Sequence, residues 1–339
     1  MSEFKVLFTF KVWDELAHYL RDNLAKYTNL NLIMPADDDE DTILNLASQA
    51  DVLFGWRPKI ELLNKAEKMK LFIQPGTGAE HLVKVFKKYG RKSDVIITNG
   101  HGHAYEVAQH ALGMLLALTN HIVGYHNQMV DGKWRIRESM SEGLKNKKIG
   151  FLGYGPINQF IHKFLSPFTS DFSILKRTRD IELEASLSSK IKFYTTKEKH
   201  EFLQRLDVLI IAAPRTKKTE NMIGEEELQM LGKNAYLLNV GRGPIINEKA
   251  LYMALKKQVI KGAAIDVWYN YQPQEINGKT YPYDSNHPFH ELENIILSPH
   301  RAGSPFGDLS RWDENIQNLI TLAEERNDFI NVIDLQEEY

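Results

Sequence analysis

No cysteine occurs among the 339 residues, so no disulfide, iron–sulfur cluster or thiol nucleophile can exist. An excess of one charge is missing as well. Lysine plus arginine (42) nearly balances aspartate plus glutamate (44), for a net charge of -2, which removes the global electrostatic case for a nucleic-acid or anionic-membrane binder. The longest apolar run, Ala111 to Leu118, falls far short of the roughly 20 residues a spanning helix needs. The opening residues are interrupted by Glu3, Lys5 and Asp14 and lack the apolar stretch of a secretory signal. The expectation is a cytoplasmic protein that engages neither nucleic acid nor membrane. What remains is ordinary globular composition, 43% hydrophobic and 25% charged, and at about 150 residues per domain the length predicts two domains.

Short apolar, β-branched runs alternate with helical patterns along the chain. Phe4–Phe10, Leu30–Met34, Val52–Gly55, Leu71–Gln74 and Val95–Thr98 read as strands. Between the first two, Leu16, Leu20 and Leu24 stand four apart, which is helical spacing. A long helix is expected from Ala104 to Met129, after which the alternation resumes. Lys148–Leu152, Phe172–Lys176, Ile191–Thr195, Val208–Ala212, Tyr236–Val240, Ala263–Val267 and Ile295–Ser298 are the later strands, and Asp308 to Glu325 closes the chain as a helix. Such alternation predicts an α/β protein of two doubly wound, mainly parallel sheets, each covered on both faces.

The strand Lys148–Leu152 runs into Gly153-Tyr154-Gly155-Pro156-Ile157-Asn158, followed by a helical segment. Gly153 permits a tight turn, Gly155 lets backbone approach a pyrophosphate at the helix N-terminus, and Pro156 suits the first helical turn. The third glycine of the usual G-x-G-x-x-G is Asn158 here, a departure expected to loosen helix–strand packing. The bland alternative is a tight turn in an unrelated α/β protein, but strand, turn and helix in this order favour a dinucleotide. The acid that should bind the adenosine ribose is absent from the end of the next strand, where Lys176-Arg177-Thr178-Arg179 stands instead. Cations and a hydroxyl there suit a ribose 2′-phosphate, so NADP(H) is favoured over NAD(H); a solvated basic loop is the alternative.

Further along come Ala212-Ala213-Pro214-Arg215-Thr216, Asn239-Val240-Gly241-Arg242-Gly243-Pro244, Asp266-Val267-Trp268 and Ser298-Pro299-His300-Arg301-Ala302-Gly303. This ordered set resembles the D-isomer-specific 2-hydroxyacid dehydrogenases, the family that also includes formate and phosphoglycerate dehydrogenases. Gly76-Thr77-Gly78-Ala79-Glu80 and Val107-Ala108-Gln109-His110 extend the likeness more thinly. The resemblance implies a Rossmann cofactor domain near 104–301, inserted in a flavodoxin-like outer domain of 1–103 plus 302–339. It implies NAD(P)-dependent hydride transfer on a small 2-hydroxy or 2-oxo acid, and a homodimer paired through the cofactor domain.

Roles follow from the same resemblance. Arg242 matches the arginine that binds the substrate carboxylate and polarises its carbonyl, and arginine's paired donors suit an anion beside an electrophile. His300 matches the acid–base residue, which gives or takes the proton as hydride moves. The backbone at Thr77 and Gly78 matches the turn that cradles the carboxylate, and His103 stands where formate dehydrogenases carry a substrate-binding asparagine. Asp266 is placed near the nicotinamide carboxamide, with a strand-end cap as its plain alternative. Ala213, Pro214, Asn239 and Val240 line the cofactor, beside Gly153, Gly155, Pro156 and Ile157. The family's glutamate partner of the histidine is missing: Tyr271 occupies its place, or, with one residue inserted, Gln272 does. The irregular spacing of His287, His290 and His300 argues against a metal. Two readings compete with a hydroxyacid dehydrogenase, a cofactor-sensing interaction protein on the same scaffold and a formate dehydrogenase-like enzyme. The first is favoured by the missing glutamate and the second by Gln272 before Pro273.

Overall fold

The computed structural model describes residues 2–89, 95–134, 141–187, 190–273, 275, 278–303 and 307–339. The chain divides into two compact units, Met1–His103 with Pro305–Tyr339, and Ala104–Ser304. No described helix is long and apolar enough to cross a membrane.

In the first unit, strands β1 (Phe4–Phe8), β2 (Leu30–Ile33), β3 (Val52–Phe54), β4 (Leu71–Gln74) and β5 (Ile96–Asn99) alternate with helices α1 (Asp14–Leu24), α2 (Glu40–Ala47), α3 (Ile60–Lys65) and α4 (Glu80–Phe86). The strands form a parallel sheet of order β2-β1-β3-β4-β5, which is flavodoxin-like. Alternate side chains of one strand feed opposite cores. Phe4, Val6 and Phe8 pack with Leu16 and Leu20 of α1, while Leu7 packs with Leu82 and Phe86 of α4. A near-continuous apolar strand is what a sheet buried on both faces requires.

The second unit opens with α5 (Ala104–Thr119) and α6 (Ile122–Val130). It continues β6 (Ile149–Leu152), α7 (Pro156–Leu165), β7 (Phe172–Lys176), α8 (Ile181–Ser186), β8 (Lys192–Thr195), α9 (Lys199–Gln204), β9 (Val208–Ile211), α10 (Glu225–Leu231), β10 (Tyr236–Asn239), α11 (Glu248–Lys256), β11 (Gly262–Ile265) and β12 (Ile295–Leu297). Its parallel order, β12-β11-β10-β9-β6-β7-β8, is the Rossmann arrangement, with the reversal between β6 and β9 where such sheets bind ligands. Val107, Ala111 and Leu115 of α5 and Ile161 of α7 cover one face of this sheet. Phe202, Leu228 and Leu251, from α9, α10 and α11, cover the other.

Two helices depart from expectation. The long helix predicted from Ala104 breaks at Asn120-His121, where both the backbone and the side-chain amide of Asn120 donate to Leu116 O at 3.0 Å and His121 turns left-handed at φ 54°. Periodicity continues across the break because α6 is itself apolar, so the pattern hides it. The closing helix, α12 (Asp313–Ala323) in the first unit, starts later than expected because residues 309–312 form a tighter turn in which Asp308 accepts from Ser310 N at 2.9 Å. A left-handed conformation costs a residue with a β-carbon about 1 kcal/mol. His121→Gly should therefore stabilise the protein by about 1 kcal/mol and His121→Val destabilise it, read from denaturant unfolding; equal stability of the two variants would contradict this account of the break.

Candidate active site

Arg242 lies just beyond the C-terminal end of β10, between two glycines that cannot be anything else. A Cβ on Gly241 would sit 2.8 Å from Ala213 O, and one on Gly243 would sit 2.4 Å from Trp268 O. Both approaches are far inside van der Waals contact, so the chain can pass only as glycine. Asn239, buried at the strand end, ties the same turn: its Nδ2 donates to Arg242 O and its Oδ1 accepts from Gly241 N, each at 3.0 Å. Arg242 is half-buried, and its Nη1 donates to Gly241 O at 2.7 Å. Ala213 and Val240 are buried and Pro214 is exposed.

His300 lies beyond β12 with φ 55°, again left-handed and again unusual for a residue with a β-carbon. Asp266, at the end of β11 and 1% exposed, fixes this loop. Its Oδ1 accepts from Arg301 N at 2.8 Å and its Oδ2 from Ala302 N at 3.1 Å, and Oδ1 also takes the hydroxyl proton of Ser298. Asp266 thus caps the loop as well as ending a strand. The Tyr271 ring meets the His300 ring edge to face, centroids 5.2 Å apart, while its hydroxyl accepts from Trp268 N at 3.2 Å. Gln272 is exposed, its backbone N–H donating to Asn270 Oδ1 at 2.9 Å. Of the two candidates for the glutamate's place, Tyr271 is the one with a described contact to His300.

In the first unit, the turn Gly76-Thr77-Gly78 is built from below. Gln74 Nε2 donates to Gly76 O at 3.0 Å and also to Gly78 O, and Asn99 Nδ2 donates to Thr77 O at 2.6 Å. All three carbonyls of the turn accept side-chain protons. Thr77 Oγ1 donates to Gly100 O at 3.0 Å and lies 3.1 Å from His103 Nε2. With its one proton committed, the threonine accepts from the imidazole, so His103 carries hydrogen on Nε2.

From sequence, Gln74, Asn99, Ser298 and His110 carried no assigned role. A signal was there for the first two: polar residues ending apolar strands that pair in register, Gln74 opposite Asn99. The other histidines do not converge. His290 stacks on Tyr281 at 4.1 Å and His287 packs on Tyr252. Among the described residues, His200, Glu226 and Glu227 bring three potential ligand atoms within 4.8 Å, but the Lys199 ammonium already holds Glu227 Oε1 at 2.6 Å.

Residues 112–302 match the family model described as the NAD binding domain of D-isomer specific 2-hydroxyacid dehydrogenases. The chain belongs to that family. It is similar to a glyoxylate reductase of Thermofilum pendens, 30% identical over 291 residues, 84% of this chain and 81% of that one. The fold is similar to a D-isomer specific 2-hydroxyacid dehydrogenase of Xanthobacter autotrophicus solved with NADPH, with TM-score 0.78, 19% identity and 100% of both chains covered. It is similar also to an NADPH-dependent glyoxylate/hydroxypyruvate reductase of Sinorhizobium meliloti, with TM-score 0.71, 20% identity, 99% of this chain and 98% of that one. This dehydrogenase is an NAD(P)-dependent oxidoreductase of 2-hydroxy and 2-oxo acids.

The glycine turn of the dehydrogenase fits a dinucleotide. Gly153 stands at φ 80°, and a Cβ there would meet Ala213 Cα at 3.1 Å, whereas a Cβ on Gly155 would meet nothing within 4 Å. That open space lies at the N-terminus of α7, which no side chain caps, so its first N–H groups are available to an anion. Tyr154 turns inward, its hydroxyl 2.6 Å from His162 Nδ1; burial pushes the phenol up to about 12 and the imidazole below its ordinary range. Asn158 corrects the expectation of loosened packing. It is fully buried, and its Nδ2 donates to Gly153 O at 2.6 Å, so it ties helix to turn where glycine could not.

The basic segment is also less open than its sequence. Lys176 holds Asp180 at 2.6 Å and Arg179 pairs with Glu184, while Arg177 and Thr178 are exposed. The Lys176 ammonium and Leu183 N–H hold the Asp180 carboxyl below its usual range. Asn158→Gly, which restores the common motif, should cost about 2 kcal/mol of unfolding free energy, from a lost hydrogen bond and a helical glycine; a gain in stability would contradict the role assigned to Asn158.

Proposed function

We propose that the dehydrogenase reduces a small 2-oxo acid with NADPH preferred over NADH, using Arg242 and His300 as its working groups. The observation that carries the reading is their placement: both leave the C-terminal ends of strands in one sheet, β10 and β12, the edge at which open α/β sheets bind ligands. Residues 104–301 serve as the cofactor domain, and 1–103 with 302–339 supply the substrate turn. Glyoxylate and hydroxypyruvate are the first acids to assay, being those named for the relatives.

The amides of α7 beyond Gly155, with Pro156 and Ile157, take the pyrophosphate. Ala213, Pro214, Asn239 and Val240 shape the adjoining wall, and Lys176, Arg177 and Thr178 meet the 2′-phosphate. When bound, the nicotinamide supplies or accepts the hydride. Arg242 binds the carboxylate and stabilises negative charge growing on the carbonyl oxygen. Within the first unit, the N–H groups of Thr77 and Gly78, whose carbonyls are taken up by Gln74 and Asn99, are suited to bind a carboxylate, and His103 is the substrate-binding side chain beside them. His300 donates a proton to the oxygen during reduction and accepts it during oxidation. Asp266 serves this chemistry by holding the loop and borders the nicotinamide carboxamide. Tyr271 orients the His300 ring without adding charge, and Gln272 is the alternative occupant of that place.

The protein works in the cytoplasm as a homodimer paired through the cofactor domain. Support for the pairing comes from α6, which buries no residue and exposes Ile122, Val123, Met129 and Val130; solvated apolar clusters of this kind mark interfaces.

A screen of 2-oxo acids with NADPH and NADH followed separately tests the reading, and failure of every acid with both cofactors would contradict it. Arg177→Ala should erase the NADPH margin, and equal dissociation constants in the unmodified protein would refute the preference. Arg242→Ala should raise KM and lower kcat together, because it removes contacts made in ground and transition states. His300→Ala should chiefly lower kcat, by about 10²- to 10⁴-fold; unchanged turnover would exclude it as the acid. Tyr271→Glu places a carboxylate beside the imidazole and stabilises its protonated form. Reduction requires that form, so the high-pH limb of kcat/KM should move to higher pH. An unmoved limb in active, folded enzyme would show that Tyr271 does not govern His300.

A further inference from the structure

Helix α5 carries a histidine for which the proposed chemistry has no use. His110 Nε2 stands 2.9 Å from Ser298 Oγ and 3.8 Å from Asp266 Oδ1. The direction of the protons follows from what each group can give. Asp266 accepts backbone N–H groups at both oxygens and, as a carboxylate, has no proton to donate. The Ser298 hydroxyl therefore gives its single proton to Asp266 and must accept from the imidazole, which places hydrogen on His110 Nε2. The same serine is held through its backbone, since buried Trp268 Nε1 donates to Ser298 O at 2.7 Å. Ser298 is thus gripped by a helix, by the end of β11 and by an indole, two residues before His300 adopts a conformation that residues with a β-carbon avoid.

We infer that His110 is a positioning residue for His300. Its Nε2–H, relayed through Ser298 to Asp266, holds residues 298–302 in the one arrangement that presents the His300 imidazole for proton transfer. The inference rests on the reading of His300 as the acid–base group. A histidine that merely fills space beside α5 would need a particular volume and no particular proton.

The test compares His110→Gln, whose side-chain amide keeps an N–H near the Nε2 position, with His110→Leu, which keeps bulk and loses the donor. His110→Leu should lower kcat about 10- to 100-fold, as sub-ångström misplacement of a reacting group does, with KM for the 2-oxo acid and Kd for NADPH changed less than about twofold. His110→Gln should restore kcat to within about threefold of the unmodified enzyme. Equal losses in both, or a matching rise in KM, would overturn the inference in favour of a packing role. Ser298→Ala removes one oxygen only and should repeat the leucine result, which keeps the test intact if His110→Leu does not fold. A second readout needs no turnover. In imidazole nitrogen NMR, the Nε2-bound proton of His110 should exchange slowly and lose that protection in Ser298→Ala. The His300 signals should shift in Ser298→Ala and His110→Leu but not in His110→Gln. If these shifts occur in a protein that reduces no 2-oxo acid, the proposed reaction fails and the positioning stands. If His300 does not respond, the positioning fails whatever the activity.

Discussion

Asp266 ends an apolar strand with a carboxylate withdrawn almost wholly from water, and such a group is tolerated only where other donors replace the solvent. The replacements are two backbone amides and a hydroxyl, all from residues 298–302. The need to satisfy one buried charge therefore dictates the path of the loop. That path carries His300 through a left-handed turn which its own side chain disfavours. Removing the carboxylate would leave two amides without these partners, the buried one of Ala302 among them, as well as a strained residue without support. The acid–base group of the proposed mechanism is located by a neighbour that need not react.

The same logic of close approach places Arg242. The backbones of Ala213 and Trp268 press on the chain from two sides, so that Gly241 and Gly243 leave the arginine as the only side chain able to leave the turn. Asn239 completes it by bonding to both sides of the bend. A guanidinium held by rigid backbone loses little conformational freedom on meeting an anion, whereas one on a free loop would lose much more. Trp268 links the two positions, since it crowds Gly243 and bonds Ser298 through its indole.

Much of this was legible in the residues because the fold repeats one device. Buried parallel strands read as apolar runs, and helices between them show a period of four, so both sheets and nearly all element types could be written down from pattern. The break after Thr119 was hidden because both flanking helices are apolar and the break is made by a side-chain amide and one backbone angle, neither of which has a period. Asn158 misled for a related reason. Motif spacing prizes glycine for the space it leaves, but an amide can fill that space and bond to the turn. Arg242, His300 and Asp266 were found through ordered motifs. Ser298 and His110 stood in the same motifs without an assigned role, since their meaning lies in a hydrogen-bond chain between residues 188 positions apart. Nor could the sequence tell that Lys176 and Arg179 are engaged by Asp180 and Glu184.

The account as a whole stands on hydride transfer to a 2-oxo carbon at the strand ends that carry Arg242 and His300. The most direct measurement is reduction of a longer 2-oxo acid such as hydroxypyruvate with NADPH carrying deuterium at both nicotinamide C4 positions, followed by chiral analysis of the 2-hydroxy acid. The account predicts deuterium at C2 of the D-enantiomer alone, with the label lost from the cofactor in equal amount. Label in the L-enantiomer, or product without label at C2, would contradict it.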